Sequence, residues 1–226
     1  MDRQEAIEAA VAKYSAERHI FERFRNAVVD YFRTEPSLND SRMTVIHSIK
    51  SRLKDIDHLR DKLNRKWDEG IPVDGENLFA NVTDLAGVRV LHLYQDQFPL
   101  IHQAVLSQLK SGDWHLHEEP KAYSWDPEAH EFFKGLGLSP EIKASHYTSI
   151  HYLLKPRKDS EVCCELQVRT LFEEIWGEID HQVNYPHPTE NIACREQIRV
   201  LSKLVSTGTR LADAIFRTRA AGDPGN

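Results

Sequence analysis

The sequence predicts an α+β domain: a mixed β-sheet flanked by helices, with helical segments at both ends of the chain. Three observations lead there. AGVRVLHLY (Ala86 to Tyr94) is β-branched and apolar, the pattern of a buried strand. YTSIHYLLKPR and EVCCELQVRT are strand-like and separated only by Lys158, Asp159 and Ser160, so they read as a hairpin. Helical patterns bracket both, and neither GxGxxG nor GxxxxGK[ST] follows a strand, which argues against a doubly wound parallel sheet.

The elements follow in chain order. Residues 4–34 read as one or two helices, with Ala10, Val11, Tyr14, Ile20, Phe21 and Phe24 on the apolar face. EPSLND (Glu35 to Asp40) breaks the pattern. A second, basic helix is expected from about Arg42 to Trp67, with Ile56, Leu59 and Leu63 inward. DEGIPVDGEN is a loop, since it carries two glycines and a proline. After the strand at Ala86, FPLIHQAVLSQLKSG reads as a helix ended by Gly112, and DWHLHEEP as a short strand. Lys121 to Pro140 shows a weak pattern, read as a loop with one helical turn. The hairpin leads into a helix from about Thr170 to Asn184, which YPHP stops because proline cannot continue it. A last amphipathic helix covers roughly Asn191 to Arg219, and the tail AAGDPGN is expected to fray. The boundaries that result are 1–45 for an N-terminal helical segment, 46–188 for the central domain and 189–226 for the C-terminal helix and tail.

Composition narrows the class. Of the 226 residues 40% are hydrophobic and 28% charged, which suits a folded globular chain and not a disordered one. No apolar run approaches the ~18 residues of a membrane span, and the charged, amphipathic N-terminus is unlike a signal peptide. Three cysteines, with Cys163 and Cys164 adjacent, make neither a disulfide framework nor a zinc motif, so a reducing cytoplasm is expected. A net charge of −6 argues against broad nucleic-acid binding and leaves room for a local basic pocket.

The chemistry concentrates in four stretches. In CCELQVRTLFEEIWGEIDHQVNYP, Glu165, Gln167 and Arg169 share one face of a strand, because strand side chains alternate. Glu174, Glu178 and His181 then fall on one face of a helix. Two polar faces meeting at a strand–helix junction fit a site. They equally fit solvated faces, with Val162, Cys164, Leu166 and Val168 inward on the strand and Phe172, Ile175, Trp176, Ile179 and Val183 as the helix's apolar stripe. SRLKDIDHLRDKLNRK carries Arg52, Lys54 and Lys62, with Lys50 and Arg60 nearby. Cations at this density suit a polyphosphate or a solvated helix face. Arg52 and Lys62 share no single stripe at ideal helical spacing; a helix that starts after a loop near Lys54 would let them converge.

In TDLAGVRV, Asp84 just precedes a strand, as a turn cap or as a ligand for Mg²⁺, which prefers one or two carboxylates plus substrate phosphates. Glu165 is then a second ligand or a base. In KASHYTSIH, Tyr147 opens a strand, placed to stack on a base or to pack as an edge residue, with Lys143 and His151 on either side.

Five motifs in this order, SRLKDIDHLRDK, TDLAGVRV, KASHYTSIH, ELQVRT and WGEIDHQVNY, resemble the RelA/SpoT synthetase domain. The resemblance covers about Lys50 to Tyr185. It implies a nucleotidyltransferase-like mixed sheet. It also implies pyrophosphate transfer from ATP to the ribose 3′-hydroxyl of GDP or GTP, making (p)ppGpp, with Mg²⁺ as cofactor. Carried over by motif, Arg52, Lys54, Lys62 and Arg89 would bind ATP, and Asp84 and Glu165 would hold the metal and be catalytic. Lys143, Tyr147, His151, Gln167, Arg169, Glu178 and His181 would line the acceptor. Two residues depart from the usual loop, which resembles SGYR: His146 takes the place of a glycine and Thr148 that of an arginine. His58 stands where a small hydroxyl residue is usual.

The roughly 45 residues ahead of Lys50 are too few for a hydrolase domain, so a synthetase-only chain is expected. Nucleotides are the expected partners and a membrane is not; a homo-oligomer stays open. Toxic members of the family that modify adenine nucleotides or the 3′ end of tRNA supply an alternative acceptor, although the acidic charge disfavours tRNA. An idle nucleotide-sensing module is the alternative of another class. Two like charges at Asp84 and Glu165 argue against it, since without a metal a binding-only pocket gains nothing from them.

Overall fold

The N-terminal helix and the sheet share one hydrophobic core. The structure, a computed structural model, describes residues 2–40, 43–143, 146–185 and 188–222. Helix α1 (Arg3–Thr34) is a single helix, started by a capping box in which Asp2 and Glu5 satisfy each other's backbone N–H groups. Ile7, Ala10, Tyr14, Phe21, Val28 and Phe32 are all buried along its inner face, as the apolar spacing requires. Strand β1 (Asn39–Asp40) pairs antiparallel with β2 (Met43–Thr44).

The expected basic helix from Arg42 is corrected. Residues Ser48–Leu53 form strand β3, and helix α2 spans Ile56–Asp68. The boundary has a local cause: the Asp55 carboxylate caps α2 by accepting from the N–H groups of Asp57 and His58. Ahead of it, Ile49 and Leu53 alternate with Lys50 and Arg52, and the apolar pair packs against the core. Leu59 and Leu63 are fully buried, as expected for the inner face of α2.

The chain continues through α3 (Leu78–Asn81), β4 (Ala86–His92), α4 (Phe98–Ser111) and β5 (His115–Leu116). Gly112 ends α4 in the left-handed conformation, φ 84°. The weak segment from Lys121 to Pro140 holds more structure than its pattern signals: β6 (Lys121–Tyr123), α5 (Pro127–Gly135) and β7 (Ser139–Glu141). Then come β8 (Ser149–Lys155), β9 (Cys164–Thr170), α6 (Leu171–Asn184) and α7 (Ile192–Gly222). Arg42, Ser145, residues 186–187 of YPHP and the tail end 223–226 lie outside the described residues.

The sheet is mixed and seven-stranded, in the order β3-β4-β9-β8-β6-β7, with β5 beside β8. The hairpin forms as expected, β8 against β9, while β4 runs parallel to β9. One face buries Val88, Val90, Leu166, Val168, Ile150 and Tyr152. Alternation therefore turns the polar residues of β3, β4, β8 and β9 to the other face.

Helix α6 covers part of that second face, but not by its apolar stripe. Trp176 is buried at 3%, whereas Phe172, Ile175 and Ile179 are 37%, 51% and 40% exposed. The helix turns Glu174 inward instead, and Trp176 ties it to α7 by donating its indole N–H to the Ile198 carbonyl at 3.1 Å. Cys163, which alternation with Val162 and Cys164 assigns to the polar face of the strand, is buried at 2%. Among the described residues no helix is long and apolar enough to cross a membrane.

Candidate active site

Strand register assembles the site. Lys50 of β3 stands opposite Arg89 of β4, Arg89 opposite Gln167 of β9, and Gln167 opposite His151 of β8. One step along, Arg52 is opposite Gly87, and Gly87 opposite Glu165. Side chains directly across neighbouring strands lie within contact reach, so six polar side chains and one gap form two rows across four strands. Gly87 is the gap. A Cβ there would meet Arg52 and Glu165 only at ordinary contact distance, 3.8–3.9 Å, so the glycine leaves open floor between the two. These rows floor a cleft of about 540 Å³, walled by Trp176, Glu178, His181 and Tyr185 of α6 and its end.

Beside the cleft, Asp84 lies between two lysines. Lys54 donates to one carboxylate oxygen and Lys62 to the other, both at 2.7 Å. The break between β3 and α2 is what brings the two together from different elements. Burial pushes the Asp84 carboxyl up, but Lys62 and Lys54 outweigh it and hold it down at about 2. Burial lowers the Lys54 ammonium, only partly offset by Asp84.

In the middle, Glu165 is held on both oxygens. Burial raises its carboxyl, yet the hydrogen bond and charge of His151 prevail and leave it below its usual value. An ionised carboxylate only accepts, so His151 Nδ1–H donates to Oε1, and Gln167 donates to Oε2, each at 3.0 Å. The Tyr147 hydroxyl meets His151 Nε2 at 3.0 Å, which fixes the ring over the strand.

At the far end the acid is Glu174. Lys50 reaches it at 2.7 Å and Arg89 at 2.8 Å, and the Arg169 guanidinium closes a third ion pair. Arg169 and Glu174 are each only 3% exposed. Burial opposes ionisation of Glu174, and the three cations overcome it, leaving the carboxyl below its usual value. Arg89 also reaches Glu178 at 3.0 Å and Gln167 at 3.2 Å.

Most of the sequence-predicted residues thus converge: Arg52, Arg89, Tyr147, Glu165, Gln167, Arg169, Glu178 and His181 line the cleft. Lys54, Lys62 and Asp84 stand outside its lining and adjoin it at Glu165, on which the charge of Asp84 acts, and His151 supports it through Glu165 and Tyr147. Lys143 stands apart: it is exposed, with its ammonium 4.1 Å from the Tyr123 ring centroid. Thr148 is turned away as well, buried at 9% against Ser124 behind the loop that leads into β8, so it does not stand in the cleft.

Two sets of contacts in the site escape the sequence reading. Glu174 belongs to the polar helix face by spacing, but nothing local shows that three cations from three strands meet it. Tyr185 stacks on His181 with centroids 4.6 Å apart and touches His58 of α2 at 6.0 Å; only tertiary packing brings those together.

Asp84, Glu165, Glu174 and Glu178 are each matched to a basic side chain of the same site. Such a site trades partners: phosphate oxygens compete for the lysines and arginines, while a cation competes for the carboxylates. Among the described residues no three His, Cys, Asp or Glu side chains group to cage a metal by themselves. Asp84 and Glu165 are two ionised carboxylates, close enough that the charge of Asp84 acts on Glu165. That donor set fits Mg²⁺ sharing its remaining positions with substrate phosphates.

Comparison with known proteins agrees in type. The family described as a region found in RelA/SpoT proteins matches residues 51–190. No curated protein matches the chain. Among solved structures, small alarmone synthetase 1 from Bacillus subtilis bound to its product pppGpp is 18% identical, with a TM-score of 0.66 over 91% of this chain and 98% of that one. A GTP pyrophosphokinase family protein from Streptococcus pneumoniae is 19% identical, with a TM-score of 0.64 over 89% and 90%. The Bacillus subtilis synthetase bound to AMPCPP is 16% identical, with a TM-score of 0.59 over 94% and 96%. The mixed sheet, its flanking helices and the span of the family match lead to one conclusion: this chain belongs to the RelA/SpoT family and has the fold of the small alarmone synthetases.

Proposed function

We propose that the chain is an ATP-dependent pyrophosphokinase that moves the β,γ-pyrophosphate of ATP onto the 3′-hydroxyl of GDP or GTP. The observation that carries this reading is Asp84 gripped by Lys54 and Lys62 at 2.7 Å, beside the Arg52–Gly87–Glu165 row. Phosphoryl-type transfer needs cations on the migrating phosphates and carboxylates at the metal, with little covalent chemistry from the protein. The solved neighbours named for pppGpp and AMPCPP support a nucleotide donor and acceptor. The synthetase unit is read as residues 46–188, flanked by 1–45 and 189–226.

In this reading Lys54 and Lys62 leave Asp84 for the donor phosphates, and Arg52 and Arg89 grip the same nucleotide. Mg²⁺, when bound at Asp84 and Glu165, would neutralise charge on the β- and γ-phosphates. Tyr147 stacks under the acceptor base, held by His151. The acceptor 3′-oxygen attacks the β-phosphorus and forms the new O–P bond. The bond from that phosphorus to the α,β-bridging oxygen breaks, and AMP leaves with the electron pair. The hydroxyl proton passes to the Glu165 carboxylate, oriented by His151 and Gln167. Gln167, Arg169, Glu178 and His181 complete the acceptor wall, and Lys143 reaches it only by moving off Tyr123.

The test is an acceptor panel. The protein is incubated with ATP, Mg²⁺ and, separately, GDP, GTP, ADP or tRNA, and products are identified by mass spectrometry. A 3′-pyrophosphorylated guanine nucleotide with AMP supports the reading. Transfer only to ADP or to tRNA replaces the acceptor and keeps the reaction. No AMP with any acceptor overturns the reading.

A further inference from the structure

The acceptor loop carries backbone strain at His146. His146 has φ 63°, the only positive φ at a non-glycine position among the described residues. This left-handed region suits glycine, and a residue with a Cβ occupies it only where surrounding contacts hold it there. Those contacts exist. The His146 ring stacks on Trp125, centroids 4.8 Å apart and planes 20° from parallel. Its Nδ1 lies 2.9 Å from Ser202 Oγ of α7. The Ser202 hydroxyl gives its hydrogen to the Arg199 carbonyl at 2.8 Å, so Oγ accepts and His146 Nδ1–H donates. Ser202 is only 3% exposed, which keeps water from competing for the bond.

Neighbouring residues of the loop face opposite ways. His146 and Thr148 look into a second cavity, of about 350 Å³, between α5 and α7. Tyr147, between them, looks into the reaction cleft. Fixing the two outer residues therefore fixes the direction of the middle one.

We infer that His146 is a positioning residue for the acceptor: it anchors the loop to α7 through Ser202 and to Trp125, and so sets the aim of Tyr147. The inference rests on the proposed function for what Tyr147 is aimed at, but the anchor itself does not. It places a determinant of acceptor use on the C-terminal helix, beyond the last of the five motifs.

The experiment uses the full chain with Ser202→Ala, His146→Ala and His146→Asn. Asparagine tolerates positive φ and keeps a donor. Hydrogen exchange of peptides covering 146–151 is measured together with KM for ATP and for the acceptor. The anchor predicts faster exchange in Ser202→Ala and His146→Ala, with exchange of β9 unchanged. The acceptor KM should rise on the order of tenfold, the size of effect that small misplacements produce, with ATP KM held within about twofold. His146→Asn should recover most of both. Unchanged exchange in 146–151 overturns the anchor. Equal rises in both KM values overturn its direction toward the acceptor. A wild-type protein that transfers nothing overturns the functional reading instead, and exchange alone then decides the anchor.

Discussion

Gly177 lies directly against Arg169: a Cβ at position 177 would stand 2.7 Å from the guanidinium Nη1. Arg169 is 3% exposed and ion-paired with Glu174, so it has nowhere to retreat. Gly177→Ala in a helix normally stabilises by up to about 1 kcal/mol. Here overpacking should prevail, at about 1–3 kcal/mol, lowering Tm by roughly 2–4 °C per kcal/mol. Thermal unfolding of the variant measures the sign. A rise in Tm would mean that Arg169 is free to swing and that the buried pair with Glu174 is dispensable.

Asp84→Asn should reduce transfer at least about 100-fold, since a neutral amide is a poor ligand for a hard cation. It also has a signature in acid. The Asp84 carboxyl is depressed from 3.8 to about 2, so its stabilising contribution is complete above about pH 4. As pH falls through the folded-state value near 2, that contribution is lost. The shift corresponds to about 2 kcal/mol. Urea unfolding should therefore show the variant weaker by about that amount at pH 7, with a flatter decline between pH 4 and 2. Identical acid profiles for variant and wild type would remove the two lysine contacts from the account.

Replacing Arg52 or Lys54 by Ala should act on the donor. A charge-assisted contact is worth about 1.5–3 kcal/mol, which is roughly 10- to 150-fold in apparent KM for ATP. Acceptor KM should move far less. Steady-state kinetics with each substrate varied in turn reads this directly, and equal effects on both nucleotides contradict the assignment of this end of the cleft to ATP.

Tyr147→Ala should weaken acceptor use by one to two orders of magnitude, from about 1–3 kcal/mol of base stacking. Tyr147→Phe keeps the ring but loses the hydroxyl bond to His151, which in turn orients Glu165. It should therefore lower kcat more than it raises acceptor KM. If Phe behaves as wild type in both constants, the Tyr147–His151–Glu165 chain has no part in turnover.

Legibility from sequence followed the range of the interaction. The hairpin, the strand at Ala86 and the polar face of Glu165, Gln167 and Arg169 are local alternation patterns, and all three appear in the structure. The helix expected from Arg42 failed because Lys50 and Arg52 are good helix formers, while their strand is imposed by pairing with β4. Lys121 to Pro140 was opaque because β6 and β7 are three residues each and owe their existence to β8 and to each other. The exposed stripe of Phe172, Ile175 and Ile179 shows the same limit in reverse. Helical spacing identified an apolar face, but the cluster of Lys50, Arg89 and Arg169 decided that the Glu174 face turns inward. In the site, motif order located Asp84 and the lysines, whereas the anchor of His146 on Ser202 spans 56 residues and leaves no local trace.

The most direct test of pyrophosphate transfer uses ATP labelled separately on its β- and γ-phosphates, with GDP and Mg²⁺, and follows both labels by phosphorus NMR or mass spectrometry. The account predicts that the two labels move together onto the acceptor's 3′ position, one pyrophosphate per AMP formed, and that Asp84→Asn abolishes both. Movement of the γ label alone, with ADP as the second product, or release of labelled phosphate to water, would contradict it.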